Sequence, residues 1–312
     1  MRTFRDFSEN KENPPIETPS ELKVPVFLMN FPLNMRTSSP NNAWMKDLSP
    51  KDRKVNYQDA FLQFYELYSF ITQHNALVYL LPSGGNFQDQ EYVANLGIHL
   101  PHLGDTIIVA NFKSPPRKGE DKIGESFFEL MKYKVYRPST HWEGEADLKY
   151  LRDNLYVGGH GIRTDVASYH WMEKKFDMEI IPVEMRDKYL YHMDTMYLRI
   201  SKDKITMPTE AMQRADVKKL EKYVEIVDMP KEIAYSGVLN GIMLGDYVML
   251  VSPKHLLGRG EDNPKLISKL GKFTEKVTGL MKKEPKFFNL FEFQKSGADL
   301  GCLIFHLNYS GY

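Results

Sequence analysis

A strand, a tight polar turn and a second strand recur four times along this chain of 312 residues, and the recurrence restricts the fold more than any other feature. The first copy spans residues 92–111 and turns at Leu103-Gly104-Asp105. The second spans 147–158 with a turn at Arg152-Asp153-Asn154, and the third spans 194–207 with a turn at Lys202-Asp203-Lys204. The fourth spans 240–251 and turns at Leu244-Gly245-Asp246; a fifth, partial copy is expected to start at Cys302. Recurrence at roughly 45–60 residues predicts repeated supersecondary units around a common centre. Hairpins that merely look alike are the alternative.

Amphipathic stretches with helical periodicity lie between the hairpins, at 57–74, 120–133, 165–176, 209–223 and 264–282. Strands alternating with such helices predict an α/β fold. Residues 1–22 are polar, contain proline and are poor in aliphatics, so they are read as a flexible tail. Beyond them Gly84-Gly85 and Pro115-Pro116 are only loop-sized, and 23–312 is expected to form a single domain.

Charge narrows the partners. Lys and Arg number 41, equal to Asp and Glu, so nothing points to a nucleic acid. The longest apolar run, 241–251, is too short to span a bilayer, and the polar N-terminal stretch has no signal-peptide core. A single cysteine forms no internal disulfide, which suits a reducing compartment and predicts a cytoplasmic protein. No cofactor or metal is expected, and a homo-oligomer is left open.

The recurrence gains meaning when polar residues are placed on it. Its first strands begin at Asn95, at Glu143 to Asp147, at Asp194 and at Cys302. If equivalent strand ends meet at a centre, an amide, carboxylates and a thiol meet there, a costly set to bury without chemistry. A lone buried Cys is commonly core filler, yet one accompanied by His and carboxylates elsewhere fits a nucleophile. In Tyr191-His192-Met193-Asp194-Thr195, a strand would turn His192 and Asp194 to one face, placing a base beside a carboxylate. Glu143 could accept two guanidinium N–H bonds as a charge-assisted fork, and Arg163 could clamp a substrate carboxylate. Each residue also has an ordinary reading, as solvated loop charge or structural histidine.

Together the motifs are similar to a family. Trp142-Glu143-Gly144-Glu145-Ala146-Asp147, Gly159-His160-Gly161-Ile162-Arg163-Thr164-Asp165, Tyr191-His192-Met193-Asp194-Thr195 and the Cys302 segment follow in the order found in the guanidine-modifying enzyme superfamily. That superfamily includes arginine deiminases, dimethylarginine hydrolases, amidinotransferases and arginine dihydrolases. The resemblance covers roughly residues 24–309 and implies the pentein fold, a five-bladed, pseudo-symmetric αβ propeller. It implies Cys302 as nucleophile, His192 as general acid and base, Glu143 and Asp194 as holders of the guanidinium, and Arg163 as a ligand of the α-carboxylate. Asn95 follows an aromatic residue in a slot where arginine dihydrolases carry Asn and deiminases typically carry Asp. Asn42-Ala43-Trp44-Met45 resembles an Asn-Pro-Trp-Met motif of the dihydrolases, which makes Asn42 a further candidate substrate ligand.

The implied function is hydrolysis of arginine's guanidine group through a covalent thiouronium, giving ornithine, carbon dioxide and ammonia. A deiminase or dimethylarginine hydrolase giving citrulline is the alternative, followed by an amidinotransferase or a non-catalytic binding protein of the same fold. The pattern departs from the family in three places. Ser296-Gly297 stands for its Gly-Gly, Ile304 for a Thr, and Ala146 for a second Gly. His99-Leu100-Pro101-His102 could be half of a metal site; the proline between the histidines favours a surface loop.

Overall fold

In the computed structural model, which describes residues 18–252 and 264–312, the chain builds five three-stranded sheets. Each sheet repeats one plan: a first strand antiparallel to a second, a helix, then a third strand parallel to the second. Gly97–Leu100, Thr106–Val109 and Lys134–Tyr136 form one such sheet. Leu148–Arg152, Leu155–His160 and Glu179–Glu184 form the next. Leu198–Ser201, Lys204–Met207 and Glu225–Asp228 follow, then Ile242–Leu244, Tyr247–Val251 and Glu284–Phe288. All four predicted hairpins are present, and the five sheets make the five-bladed αβ propeller.

The fifth copy is completed from the other end of the chain. Phe305–His306 is its first strand and pairs antiparallel with Val26–Met29, with Phe27 opposite His306. Val26–Met29 pairs parallel with Leu77–Leu80. Asn308 fastens this closure: its Oδ1 accepts from Val26 N at 3.0 Å, and its Nδ2 donates to the carbonyls of Pro19, Leu22 and Val24. Residues 1–17 of the expected tail lie outside the described residues, whereas Pro19–Glu21 forms a 3-10 turn with Pro19 buried.

Local sequence explains the elements. Second strands such as Thr106-Ile107-Ile108-Val109 and Tyr247-Val248-Met249-Leu250-Val251 lie in the middle of their sheets and read as nearly continuous apolar runs. Helix Tyr57–Gln73 begins at Asn56, whose side chain accepts from Gln58 N, and buries Ala60, Phe64, Leu67 and Ile71 on one stripe. The expected helix over 209–223 is broken instead into a 3-10 turn, Thr209–Ala211, and a helix, Arg214–Leu220. The first piece is tied to a neighbouring strand, because Asp228 Oδ1 accepts from both Thr209 N and Thr209 Oγ1.

A short helical turn precedes the first strand in four of the five blades: Val93–Leu96, Gly144–Asp147, Met193–Thr195 and Leu300–Leu303. These turns pack on one another near the axis. Gly144 makes one approach possible, since a Cβ there would lie 2.4 Å from Ala94 O and its φ is +64°. Asn240 stands at the equivalent place before Ile242–Leu244. Among the described residues no helix is long and apolar enough to cross a membrane.

Candidate active site

The axial turns carry the predicted polar residues inward. Asn95, Glu143, His192, Asp194 and Cys302 are all buried, Cys302 being 7% exposed. A small cavity opens onto Asn42, Asn95, Arg163, His192 and Cys302. The expected strand through His192 and Asp194 is replaced by the 3-10 turn Met193–Thr195, with His192 as its N-cap. The two side chains therefore do not simply share a strand face; they take different partners.

His192 Nδ1 lies 2.9 Å from Asp147 Oδ1. Asp147 also accepts from Thr164 Oγ1 at 2.6 Å and from Met193 N at 3.4 Å, so three donors fix it. A carboxylate can only accept here, so Nδ1 carries the proton in the neutral ring and Nε2 faces the site as a base. Asn95 Nδ2 donates to that Nε2 at 3.3 Å, and Glu143 Oε2 lies 3.4 Å from it. In the sequence Asp147 stands only as the last residue of the Trp142–Asp147 motif, with no role assigned to it. Its place one turn from Glu143 in the same motif was the available signal.

Asp194 faces the thiol: Cys302 Sγ donates to Asp194 Oδ2 at 3.5 Å, while Asp194 Oδ1 is buried without a hydrogen-bond partner. Burial pushes the Asp194 carboxyl up, and His192 and Lys149 pull against it. Burial, then the Asp194 carboxylate, hold the Cys302 thiol well above its ordinary range. A cation placed between Sγ and Asp194 would work against that rise.

Arg163 lines the cavity and also faces Glu143. Its Nη1 lies 3.3 Å from both Glu143 carboxylate oxygens, its Nη2 donates to Asn41 O at 2.9 Å, and its guanidinium sits 5.0 Å over the Tyr191 ring. Burial pushes Glu143 up, but Arg163, His192 and Arg117 outweigh it and hold the carboxyl below its ordinary value. Arg163 thus charges Glu143 while remaining at the cavity wall. A second buried cation, Arg117, also lines the cavity; Nε and Nη2 both donate to Glu120 Oε2, and Nη2 donates to the Asp89 and Tyr92 carbonyls. The sequence reading passed over Arg117 as part of a proline loop.

Asn42 is a helix cap as well as a cavity residue. Its Oδ1 accepts from Met45 N at 2.9 Å, and its Nδ2 donates to Ser296 O at 2.8 Å. This second bond ties the segment before Cys302 to the start of Ala43–Asp47. Ser296, at the family's glycine position, hydrogen-bonds to the Tyr92 hydroxyl. Among the described residues no group of three His, Cys, Asp or Glu could hold a metal. The surface-loop reading of His99 is corrected, since it is buried in Gly97–Leu100 with Nε2 bound to Gly104 O. His102 is held by Tyr156 and by Phe176 O.

Comparison with known proteins places this geometry. The family model described as N,N dimethylarginine dimethylhydrolase, eukaryotic, matches residues 29–253. The bifunctional arginine dihydrolase/ornithine cyclodeaminase AgrE of Nostoc is 28% identical over 177 residues, 55% of this chain and 24% of that protein. An N(G),N(G)-dimethylarginine dimethylaminohydrolase of Mycobacterium tuberculosis is 27% identical over 154 residues, 49% of this chain and 48% of that one. The chain therefore spans less than half the length of these curated relatives. The N-terminal domain of ArgZ, solved with a covalently bound reaction intermediate, superposes with a TM-score of 0.76 at 20% identity, covering 91% of this chain and 97% of the other.

Proposed function

The chain belongs to the N,N dimethylarginine dimethylhydrolase family, and from that premise we propose that it is a cysteine hydrolase of the guanidine group of arginine, acting as an arginine dihydrolase. The observation that carries the reading is the unpartnered Asp194 Oδ1 beside the Cys302 thiol, with the charged Glu143 nearby against His192. Two buried carboxylates around a thiol suit a planar cation, which would satisfy the carboxylates and lower the barrier to forming the thiolate.

The chemistry follows from those positions. Glu143 and Asp194 hold the guanidinium, and the thiol's proton passes to His192. Cys302 attacks the central carbon, forming a C–S bond. The C–N bond then breaks, and His192, held by Asp147, gives its proton to the departing nitrogen. His192 next takes a proton from water, whose oxygen attacks the thiouronium carbon, and the C–S electron pair returns to sulfur. The product is the ureido compound with one ammonia. A second round on that carbon gives ornithine, carbon dioxide and another ammonia.

Asn95 supports the second round. It places a neutral amide against His192 where a carboxylate would favour cations alone, so a neutral ureido group can remain. The AgrE relative, named as an arginine dihydrolase, fits this reading. The family match favours a second one, hydrolysis of methylated arginine to citrulline and an alkylamine. Labelled arginine and dimethylarginine separate them: two ammonia per ornithine supports the dihydrolase, and citrulline with an alkylamine replaces it. The substrate is a small guanidino compound in either case, and we place the catalytic unit at 23–312, in the cytoplasm.

A further inference from the structure

Asn240 is a neighbour of the thiol that neither the acid–base chain nor the carboxylate pair accounts for. Asn240 is buried at the start of the fourth hairpin. Its Oδ1 accepts from Cys302 N at 3.2 Å and from Gly301 N, and its backbone oxygen accepts from Gly301 N at 3.1 Å. Its Nδ2 lies 3.6 Å from Cys302 Sγ. These bonds leave no choice about the amide's orientation. Backbone N–H groups are donors only, so the carbonyl end must face Gly301 and Cys302, and the NH₂ end must face sulfur.

The approach is close enough to restrict the neighbouring sequence. A Cβ at Gly301 would lie 2.8 Å from Asn240 Oδ1, so the clamp requires glycine immediately before the nucleophile. The side chain also faces Asp194, whose carboxyl it pulls down against the effect of burial. Asn240 therefore stands among the nucleophile's backbone, its sulfur and the carboxylate that opposes its ionisation.

We propose that Asn240 is a thiolate-stabilising residue of this enzyme: its carbonyl fixes the Gly301-Cys302 turn, and its amide N–H donates to the sulfur anion. The backbone of Asp299 also hydrogen-bonds to Cys302, so Asn240 supplies the side-chain donor there, and a neutral donor suits this position for a physical reason. A lysine or arginine here would stabilise the thiolate but repel the cationic substrate, whereas an amide opposes neither. The donor acts twice in the proposed reaction, once when Cys302 loses its proton to attack and once when the C–S bond breaks and the electron pair returns to sulfur.

This inference rests on Cys302 being the nucleophile, but its test needs no substrate. Cys302 is the sole cysteine, so the pH profile of its alkylation by iodoacetamide in the intact protein reports one group. Asn240→Asp keeps the oxygen that holds Gly301 and Cys302 and removes the donor; Asn240→Ala removes both without adding charge. The alkylation midpoint is expected to rise by about one pH unit in Asn240→Ala, a roughly tenfold loss of thiolate at a given pH, and by more in Asn240→Asp. Thermal midpoints identify any variant that fails to fold; if Asn240→Ala does, Asn240→Asp decides. A profile superimposable on the unaltered protein's in a folded variant overturns the proposal. A shifted profile in a protein inert toward arginine would leave this role intact and remove the substrate reading instead.

Discussion

Asp147 Oδ1 lies 2.9 Å from His192 Nδ1, and this contact turns the other ring nitrogen, Nε2, toward Asn95 and Glu143. Replacing Asp147 with Asn offers the ring a donor as well as an acceptor, which permits the tautomer with its proton on Nε2. Turnover should fall roughly 10²–10⁴-fold, with a shift in the acid limb of the kcat profile. Steady-state kinetics across pH measure it. An unchanged kcat would mean that His192 is not the base.

Cys302→Ser tests the nucleophile directly. A hydroxyl fits the same space but ionises far less readily, so product formation from arginine should fall roughly a thousandfold or more while the circular dichroism spectrum is retained. Activity near that of the unaltered protein would exclude the covalent route.

Asn95→Asp bears on how far the reaction proceeds. Asn95 Nδ2 donates to His192 Nε2, and an Asp there adds a negative charge beside the reacting carbon. Opposite charges attract strongly in a partly dehydrated pocket, so arginine should be favoured over the neutral ureido intermediate. Citrulline is expected to accumulate at the expense of ornithine, as quantified by chromatography with ammonia release. If ornithine remains the sole product, Asn95 does not control the second round.

His99 gives the fold a pH dependence away from the site. Burial lowers its pKa from 6.5 to about 4, and Nε2 donates to Gly104 O while Nδ1 has no partner. Below pH 6.5 the unfolded chain takes a proton that the folded chain refuses. The contribution is therefore complete above pH 6.5 and is lost as pH falls toward 4, by up to about 3 kcal/mol. His99→Gln should lose correspondingly less stability over that window, as denaturant titrations at several pH values would reveal. Parallel curves for the two proteins would refute the assignment.

Asn308→Ala probes the join between the chain ends. Two backbone N–H groups, of Val26 and Ser310, and three carbonyls lose their side-chain partner, at a cost of about 2–4 kcal/mol. A fall of roughly 5–10 °C in Tm is expected, measured by calorimetry. A Tm within a degree of the starting value would show that other contacts hold the join.

The hairpins and four of the five long helices were legible because strand and helix periodicities are local, and so are turn residues such as Asp153 and Gly245. The pairing of Phe27 with His306 was not, since nothing local in either segment names a partner so distant in sequence. The site divided in the same way. Asn95, Glu143, His192, Asp194 and Cys302 could be grouped because each begins a recurring unit. Asn240 begins one too, yet a neutral amide before Gly241 reads as turn chemistry until its neighbours are seen. Arg163 was sought as a ligand for substrate; only packing reveals that Glu143 already faces it.

The seam where the ring closes has a consequence in time. Cys302 stands three residues before the strand Phe305–His306 that completes the fifth copy, while Val26–Met29 leaves the ribosome before that strand and must wait for it. Its pairing carries a high contact order, the kind of step that forms late and slowly. The Cys302 sulfur therefore takes its place only as the circle shuts, and a nascent chain that has folded four blades does not yet enclose the cavity.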